Sequence, residues 1–248
     1  MDFENYKNEV LKICREIYDN ASAPEGQKEL YEKYPHLFVF CCVMDSQLDA
    51  DKVWRIPLII AEELGGKEFY RFLEKDKEWY INFFNEKKLH RFNMVMAQAF
   101  YSAVQDIHNK WSDDASNMWK GKQSSAQVIY NFYQFKRVGI KIATMAANIL
   151  SREYGVELGD YLAIDISPDV HVKRAMYRLG FLPYKEDIVL SEIDPTMVVY
   201  RAKSLNPSFP GLMDLAFYQI GSDGICQNKK CNSDICPFGK ICIKQGID

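Results

Sequence analysis

From Phe3 to Tyr18 apolar side chains recur at Phe3, Tyr6, Val10, Cys14 and Ile17, with Leu11 and Tyr18 widening the stripe. Steps of three and four put these residues on one side of an α-helix, so the chain is expected to open with an amphipathic helix. Leu37 to Met44 is a short unbroken apolar run that suits a buried strand or a buried helix. Asp51 to Leu64 follows with helical spacing and stops at the Gly65-Gly66 pair, and both segments are read as helical. Leu89 to Trp111 carries Phe92, Val95, Met96, Phe100, Val104 and Ile107 at helical steps, and Ser124-Ser125-Ala126-Gln127 reads as a capping box opening a further helix. Ser167 and Asp194 each precede a proline, which suits an N-cap followed by proline at the first helical position. No segment alternates strictly over a strand's length with hairpin turns, and no internal repeat is visible. The expected fold class is all-α.

Composition changes this picture little. The 248 residues are 48% hydrophobic and 26% charged, ordinary globular proportions that exclude a disordered chain. No run has the length of a membrane span, and the start Met-Asp-Phe-Glu-Asn-Tyr lacks the basic and apolar regions of a signal peptide, so an intracellular, cytoplasmic protein with no membrane partner is expected. Lys and Arg total 31 against 34 Asp and Glu, a net charge of −3, which excludes nucleic-acid binding through bulk charge alone. Any such binding has to come from a local patch. Lys229, Lys230, Lys240 and Lys244 concentrate basic charge near the C-terminus.

Chemistry is suggested at three places. Phe135-Lys136-Arg137-Val138-Gly139-Ile140-Lys141 reads as a tight turn between two helices, the second reaching about Leu150. A helix start reached through such a turn aims unpaired N–H groups and the positive end of the helix dipole at one point, which suits a phosphate; alone, it is also an ordinary helix junction. Ile164-Asp165-Ile166-Ser167-Pro168-Asp169-Val170-His171 enters a helix lined by Val172, Ala175, Met176 and Leu179. Asp169 is expected in its first turn, where the dipole favours the ionised form, a position that can equally be only helix-stabilising. His171 alone suits packing better than metal ligation.

Of the seven cysteines, Cys14, Cys41 and Cys42 fall in apolar patterns and read as core. The other four form Cys226-X4-Cys231-X4-Cys236-X5-Cys242, with Pro237 after the third. Four thiolates in one short loop can close around a metal centre, either zinc or a [4Fe-4S] cluster. The absence of Cys-X2-Cys knuckles favours iron-sulfur over zinc.

Taken together and in this order, the three elements resemble the endonuclease III-like branch of the helix-hairpin-helix DNA glycosylases that carry an iron-sulfur loop. Val138-Gly139-Ile140-Lys141 is similar to the end of that family's hairpin, Asp169-Val170-His171 to its Val-Asp-Val-His segment, and Met44-Asp45-Ser46-Gln47 to its Leu-Ser-X-Gln segment. Met213-Asp214-Leu215 looks like the helix before the cluster loop. Three departures stand out. Arg137 occupies the place of the hairpin's first glycine, only the second cysteine is displaced, and Lys141 and Asp169 lie 169 − 141 = 28 positions apart because of an apparent insertion at Glu153 to Leu162.

The resemblance implies a two-lobed fold, with residues 23–133 in one lobe and residues 1–22 and 134–248 in the other. The hairpin would span about 126–150 and the iron-sulfur loop 226–242. It implies a base-excision glycosylase with AP lyase activity: Lys141 as nucleophile, Asp169 (or, failing it, Asp165) as assisting carboxylate, and Gln47, Arg137, Val138, Gly139 and His171 at the DNA. Cys226, Cys231, Cys236 and Cys242 would hold the [4Fe-4S] cluster, with zinc as the alternative. The implied partner is duplex DNA with a damaged base, an oxidised pyrimidine before 8-oxoguanine, bound by a monomer. Competing readings are a glycosylase without lyase activity, a non-catalytic DNA-binding module of the same fold, and a zinc-bound helical interaction protein.

Overall fold

The computed structural model describes residues 2–46, 50–185, 188–227 and 231–245. Every regular element in them is helical. The chain divides into two compact units, Ser22–Gly159 and a second built from Met1–Ala21 with Asp160–Asp248.

The unit Ser22–Gly159 contains α2 (Gln27–Lys33), α3 (Pro35–Met44), α4 (Ala50–Val53), α5 (Ile56–Glu63), α6 (Phe69–Leu73), α7 (Lys77–Lys87), α8 (Asn93–Trp111), α9 (Ser125–Tyr133) and α10 (Ile140–Arg152). Its centre is α3, in which every residue from His36 to Met44 is buried. A helix enclosed on all sides has no polar face, which is why its sequence shows an unbroken apolar run instead of a 3.6-residue period. Helices α2, α5, α8 and α10 pack around it. Phe40 meets Phe100 of α8 with centroids 4.4 Å apart and Phe72 of α6 at 5.2 Å. The stretch 51–64 is two helices instead of the expected one. Pro57 has no N–H to offer the carbonyl of Val53, so α4 ends there and α5 starts anew with proline in its first turn.

The other unit holds α1 (Phe3–Asp19), α11 (Val170–Arg178), α12 (Pro195–Leu205) and α13 (Asp214–Ser222). Helices α11 and α13 pack against each other, and α1 lies on α13. Val10, Cys14, Met176, Val198, Met213 and Phe217 fill its core. The expected proline-containing N-cap holds at Asp194, whose carboxylate accepts from Thr196 N at 2.8 Å. At Ser167 it does not: the helix begins two residues later with Asp169 as N-cap.

The observed division differs from the expected lobes in one respect. The hairpin groups with Ser22–Gly159, because α10 packs on α9 and on α3. No described helix is long and apolar enough to cross a membrane.

Candidate active site

The hairpin is built from its buried residues outward. Ser124 caps α9 by accepting from Gln127 N at 3.2 Å, the first half of the expected capping box. Past α9, Phe135 N bonds Phe132 O and Val138 N bonds Phe135 O, closing a tight turn. Phe135 stacks on Trp111 with centroids 5.1 Å apart, and Val138 is only 5% exposed. Val138 therefore anchors the turn, with its N–H occupied, and does not face solvent. Arg137 has φ +73°, the left-handed conformation that glycine adopts without cost. The turn thus keeps a glycine-like backbone while presenting an exposed guanidinium.

Gly139 is the N-cap of α10, and no side chain caps this helix. Aspartates cap α1, α7, α11 and α12 (Asp2, Asp76, Asp169 and Asp194), but the first turn of α10 contains no acid and instead carries Lys141. A Cβ added at Gly139 would meet nothing within 4 Å. Lys136, Arg137, Gly139, Ile140 and Lys141 are all exposed. An uncapped, positive helix end therefore faces open space at Gly139, with three exposed cations close by in the chain, an arrangement suited to an anion.

Beside this hairpin lies the end of α3. Asp45 is its C-cap and is half-buried. Burial raises its carboxyl above the ordinary range, while the charge of Lys141 acts in the opposite direction. His90 is buried, accepts from Phe92 N through Nδ1 at 3.0 Å, and has an enclosed Nε2 without a hydrogen-bond partner of normal geometry. Burial lowers its pKa, the backbone of Met44 and Ser46 opposes that, and the Arg137 guanidinium adds to the lowering. Gln47, next in the chain, lies outside the described residues.

Asp169 belongs to the second unit. It is the N-cap of α11, just before the first turn expected for it, and Oδ1 accepts from His171 N at 2.8 Å and Val172 N at 2.9 Å. The segment leading to it is held by Ser167 N donating to the Asp214 carboxylate at 2.7 Å. Asp165, the fallback carboxylate, is engaged 3.1 Å from Lys203 Nζ. His171 lies between α11 and α13: its ring meets Tyr218 edge-on, and a Cβ at Gly221 would come within 2.4 Å of Nδ1. In that position it serves helix packing.

The four C-terminal cysteines follow α13. An isolated antiparallel bridge joins Cys226 to Cys231. At Gly239 a Cβ would strike the Ser233 carbonyl at 1.9 Å, so the loop closes only around glycine. Phe238 is buried against Phe217. Arg178 Nη1 donates to Cys226 Sγ at 3.1 Å, Lys244 N donates to Cys242 Sγ at 3.4 Å, and Arg174 Nη1 donates to Cys226 O at 2.9 Å. All four thiols are unpaired by disulfides. Burial, and then the neighbouring thiols of the loop, raise the pKa of Cys236 and Cys242. Among the described residues no group of three or more His, Cys, Asp or Glu side chains is gathered tightly enough to hold a single metal ion.

Two features escaped the sequence. Asp45 enters the sequence reading only as one position of the segment leading to Gln47, with no role of its own. Arg174 and Arg178 belong to no motif, and only their four-residue spacing marks the shared helix face that the structure turns toward Cys226.

The elements define an all-α protein with a helix-hairpin-helix. No protein-family model and no curated protein matches the chain. Solved structures do. A trapped endonuclease III–DNA covalent intermediate, an estranged-adenine complex, matches with a TM-score of 0.58 at 14% identity, over 99% of this chain and 98% of that one. A non-covalent endonuclease III–DNA complex matches with a TM-score of 0.59 at 15% identity, over 99% and 97%. The fold is the helix-hairpin-helix fold of endonuclease III.

Proposed function

We propose that this protein is a DNA repair glycosylase with associated AP lyase activity, in which Lys141 is the nucleophile and Asp169 the assisting carboxylate. One observation carries the reading: a lysine stands in the uncapped first turn of α10, in a fold shared with an endonuclease III that has been trapped covalently on DNA. The open hairpin supports phosphate binding next to that lysine, and Arg137 supplies a cation where the turn would otherwise need only glycine.

A base inside a duplex is out of reach, so the nucleotide is extruded, at roughly a few kcal/mol and less for a damaged base. The amine of Lys141 forms a bond to C1′ as the C1′–N bond breaks, and the departing base takes the bonding electrons and a proton. Ring opening leaves an iminium at C1′. Loss of a C2′ proton then expels the 3′ phosphate with the C3′–O electrons. Asp169 keeps Oδ1 on two amide N–H groups, which fixes the carboxylate and leaves Oδ2 to balance positive charge at the sugar. An oxidised pyrimidine is the first substrate to test and 8-oxoguanine the second.

Cys226, Cys231, Cys236 and Cys242 would hold a [4Fe-4S] cluster, and the fit rests on their surroundings. None of the four thiols is in a disulfide, and two of them receive N–H donors, Cys226 from Arg178 and Cys242 from the backbone of Lys244, as cluster sulfurs do. The cluster would supply structure, fixing the loop that carries Lys240 and Lys244.

The test is cleavage of end-labelled duplexes containing thymine glycol, 8-oxoguanine, uracil or an abasic site, with and without borohydride. Lesion-dependent cleavage and a trapped adduct that disappears in Lys141→Gln are expected. Base release without strand cleavage would remove the lyase reading, and no release from any duplex would remove the enzyme reading for these lesions.

A further inference from the structure

Within the unit Ser22–Gly159 the chain forms a cavity of about 620 Å³ that the hairpin does not use. Lys141 stands in the first turn of α10, whereas Leu150 near the other end of that helix and Tyr154 just beyond it line the cavity. The two places are therefore 150 − 141 = 9 residues apart, about 13 Å of helix. The inner wall is aromatic. Buried Tyr31, Phe38, Trp119 and Tyr154 meet edge to face, with centroids 5.5 Å apart for Tyr31 and Tyr154, 5.4 Å for Phe38 and Tyr154, and 6.2 Å for Phe38 and Trp119. The Tyr31 hydroxyl meets the Cys41 sulfur at 3.4 Å and the Tyr154 hydroxyl donates to Gln27 Oε1 at 3.2 Å. Both hydroxyls are thus engaged with residues outside the cavity wall, which receives the rings.

The polar groups of the wall are mostly acceptors. His36 is buried with Nε2 2.8 Å from the Lys67 carbonyl, and burial lowers its pKa to about 4. At pH 7 the ring is neutral, Nε2 carries the hydrogen that the carbonyl accepts, and Nδ1 is left as an acceptor. Four carboxylates, of Glu32, Glu68, Asp113 and Asp114, stand with it against two cations, Lys33 and Lys120. The charges of Asp114 and Glu68 reach the His36 ring, where they oppose the effect of burial. Ser112 and Asp113 are both left-handed, with φ 52° and 65°, and this strained turn after α8 leads Asp113 and Asp114 to the wall. Each carboxylate also has a basic neighbour: Arg71 at 2.8 Å from Glu68, His108 at 2.7 Å from Asp113, Lys28 at 3.9 Å from Glu32, and Lys120 beside Asp114. Such exposed pairs are weak, and Glu32 and Asp113, each paired through one oxygen, keep the other to accept.

We propose that this cavity is a second ligand site, which takes a small organic cation: a protonated or quaternary amine on an aromatic body. The inference does not depend on the reading of Lys141. An aromatic body exchanges water for the rings of the inner wall, the usual source of affinity in a small-molecule cavity of this size. The ammonium needs acceptors and negative potential, and the wall offers both, in His36 Nδ1 and in carboxylates that outnumber the lysines by 4 − 2 = 2. Ring faces add to this, since their quadrupole attracts a cation, and the rim already shows the effect in Lys33 Nζ, 5.2 Å from the ring centroid of Tyr34. A neutral ligand of the same shape would gain the rings alone, and an anion would meet the carboxylates.

The experiment is calorimetric titration of the full chain at pH 7 with three probes of one shape: 4-phenylbenzylamine, biphenyl-4-methanol and biphenyl-4-carboxylate. NMR of the indole N–H groups runs beside it, with Trp119→Phe identifying the Trp119 resonance. The amine is expected to bind roughly tenfold more tightly than the alcohol, the carboxylate not at all, and the amine should move the Trp119 resonance. Glu32→Gln and Asp113→Asn keep the backbone, asparagine being at home in the left-handed region, and each should weaken the amine about threefold with melting temperature unchanged. Duplex Kd should be the same with and without saturating amine. Equal binding of amine and alcohol, no binding of the amine, or an affinity indifferent to both substitutions overturns the proposal. Competition between amine and duplex also overturns it, because the amine would then sit at the hairpin.

Discussion

Arg178 donates from Nη1 to the sulfur of Cys226 across 3.1 Å, joining a buried guanidinium on α11 to the first cysteine of the C-terminal loop. Thiolates need such donors. Arg178→Met, close in length but without N–H groups, is expected to lower unfolding free energy by about 2–4 kcal/mol, as measured by denaturant titration. An unchanged midpoint would show that the contact adds nothing to stability.

The same loop predicts colour. Purified under reducing, oxygen-free conditions, the protein is expected to be brown and to contain four irons per chain, whereas Cys236→Ala should be colourless and unstable. Elemental analysis that returns one zinc and no iron would replace the cluster with a zinc site.

At the hairpin, stability and binding should move in opposite directions. Gly139 has φ −86° and ψ 172° with open space before it, so an aspartate fits the backbone and caps α10. Gly139→Asp is expected to raise stability by a few tenths of a kcal/mol while weakening duplex binding at least tenfold, because the new carboxylate occupies the anion position. Thermal melting and fluorescence anisotropy read the two effects. Weakened binding without any gain in stability would mean that the helix start is already satisfied.

Arg137→Gly separates backbone from charge in the same turn. It removes a left-handed strain of about 1 kcal/mol and also a cation, so the variant should melt slightly higher, bind duplex less tightly, and show a salt dependence shallower by about one. An unchanged salt slope would mean that Arg137 touches no phosphate.

His36 gives the protein a pH limit. It is 4% exposed, its Nε2 lies 2.8 Å from Lys67 O, and burial lowers its pKa from 6.5 to about 4, with the Lys67 carbonyl opposing the shift. The folded value lies below the unfolded one, so the unfolded chain takes up a proton first as pH falls. The stabilisation is therefore complete above about pH 6.5 and is lost progressively down to about pH 4, some 3 kcal/mol in all. Urea unfolding at pH 7 and pH 4.5 should show the loss, and His36→Phe should flatten that part of the curve. An equally steep curve in His36→Phe would assign the dependence to other groups.

The helices legible in the sequence were those with one polar face. The stripe through Val10 and Cys14 and the steps through Phe100 and Val104 each mark a helix with one side in water. Leu37–Met44 was ambiguous because burial on every side erases the period. The break at Pro57 was hidden by apolar spacing that continues across it. At Ser167 the proline signal was outweighed by a carboxylate two residues on, which can accept from two N–H groups. For the candidate site, Lys141, Asp169 and the four cysteines were recognisable from order and spacing. Asp45 and His90 were not, since α3, which ends at Asp45, packs on α10 across nearly a hundred positions and His90 comes to the end of α3 from a separate loop.

Helix α11 has nine residues, a rod of about 13 Å. Asp169 is fixed to one end of it. At the other end Arg178 holds the Cys226 sulfur, and its carbonyl receives Gln245 N and the Cys242 thiol. A carboxylate and a sulfur cradle are thus mounted on one rigid bar. Oxidation of the cysteines would loosen the bar at its far end, and a chemical injury there would be felt at Asp169 as a loss of aim.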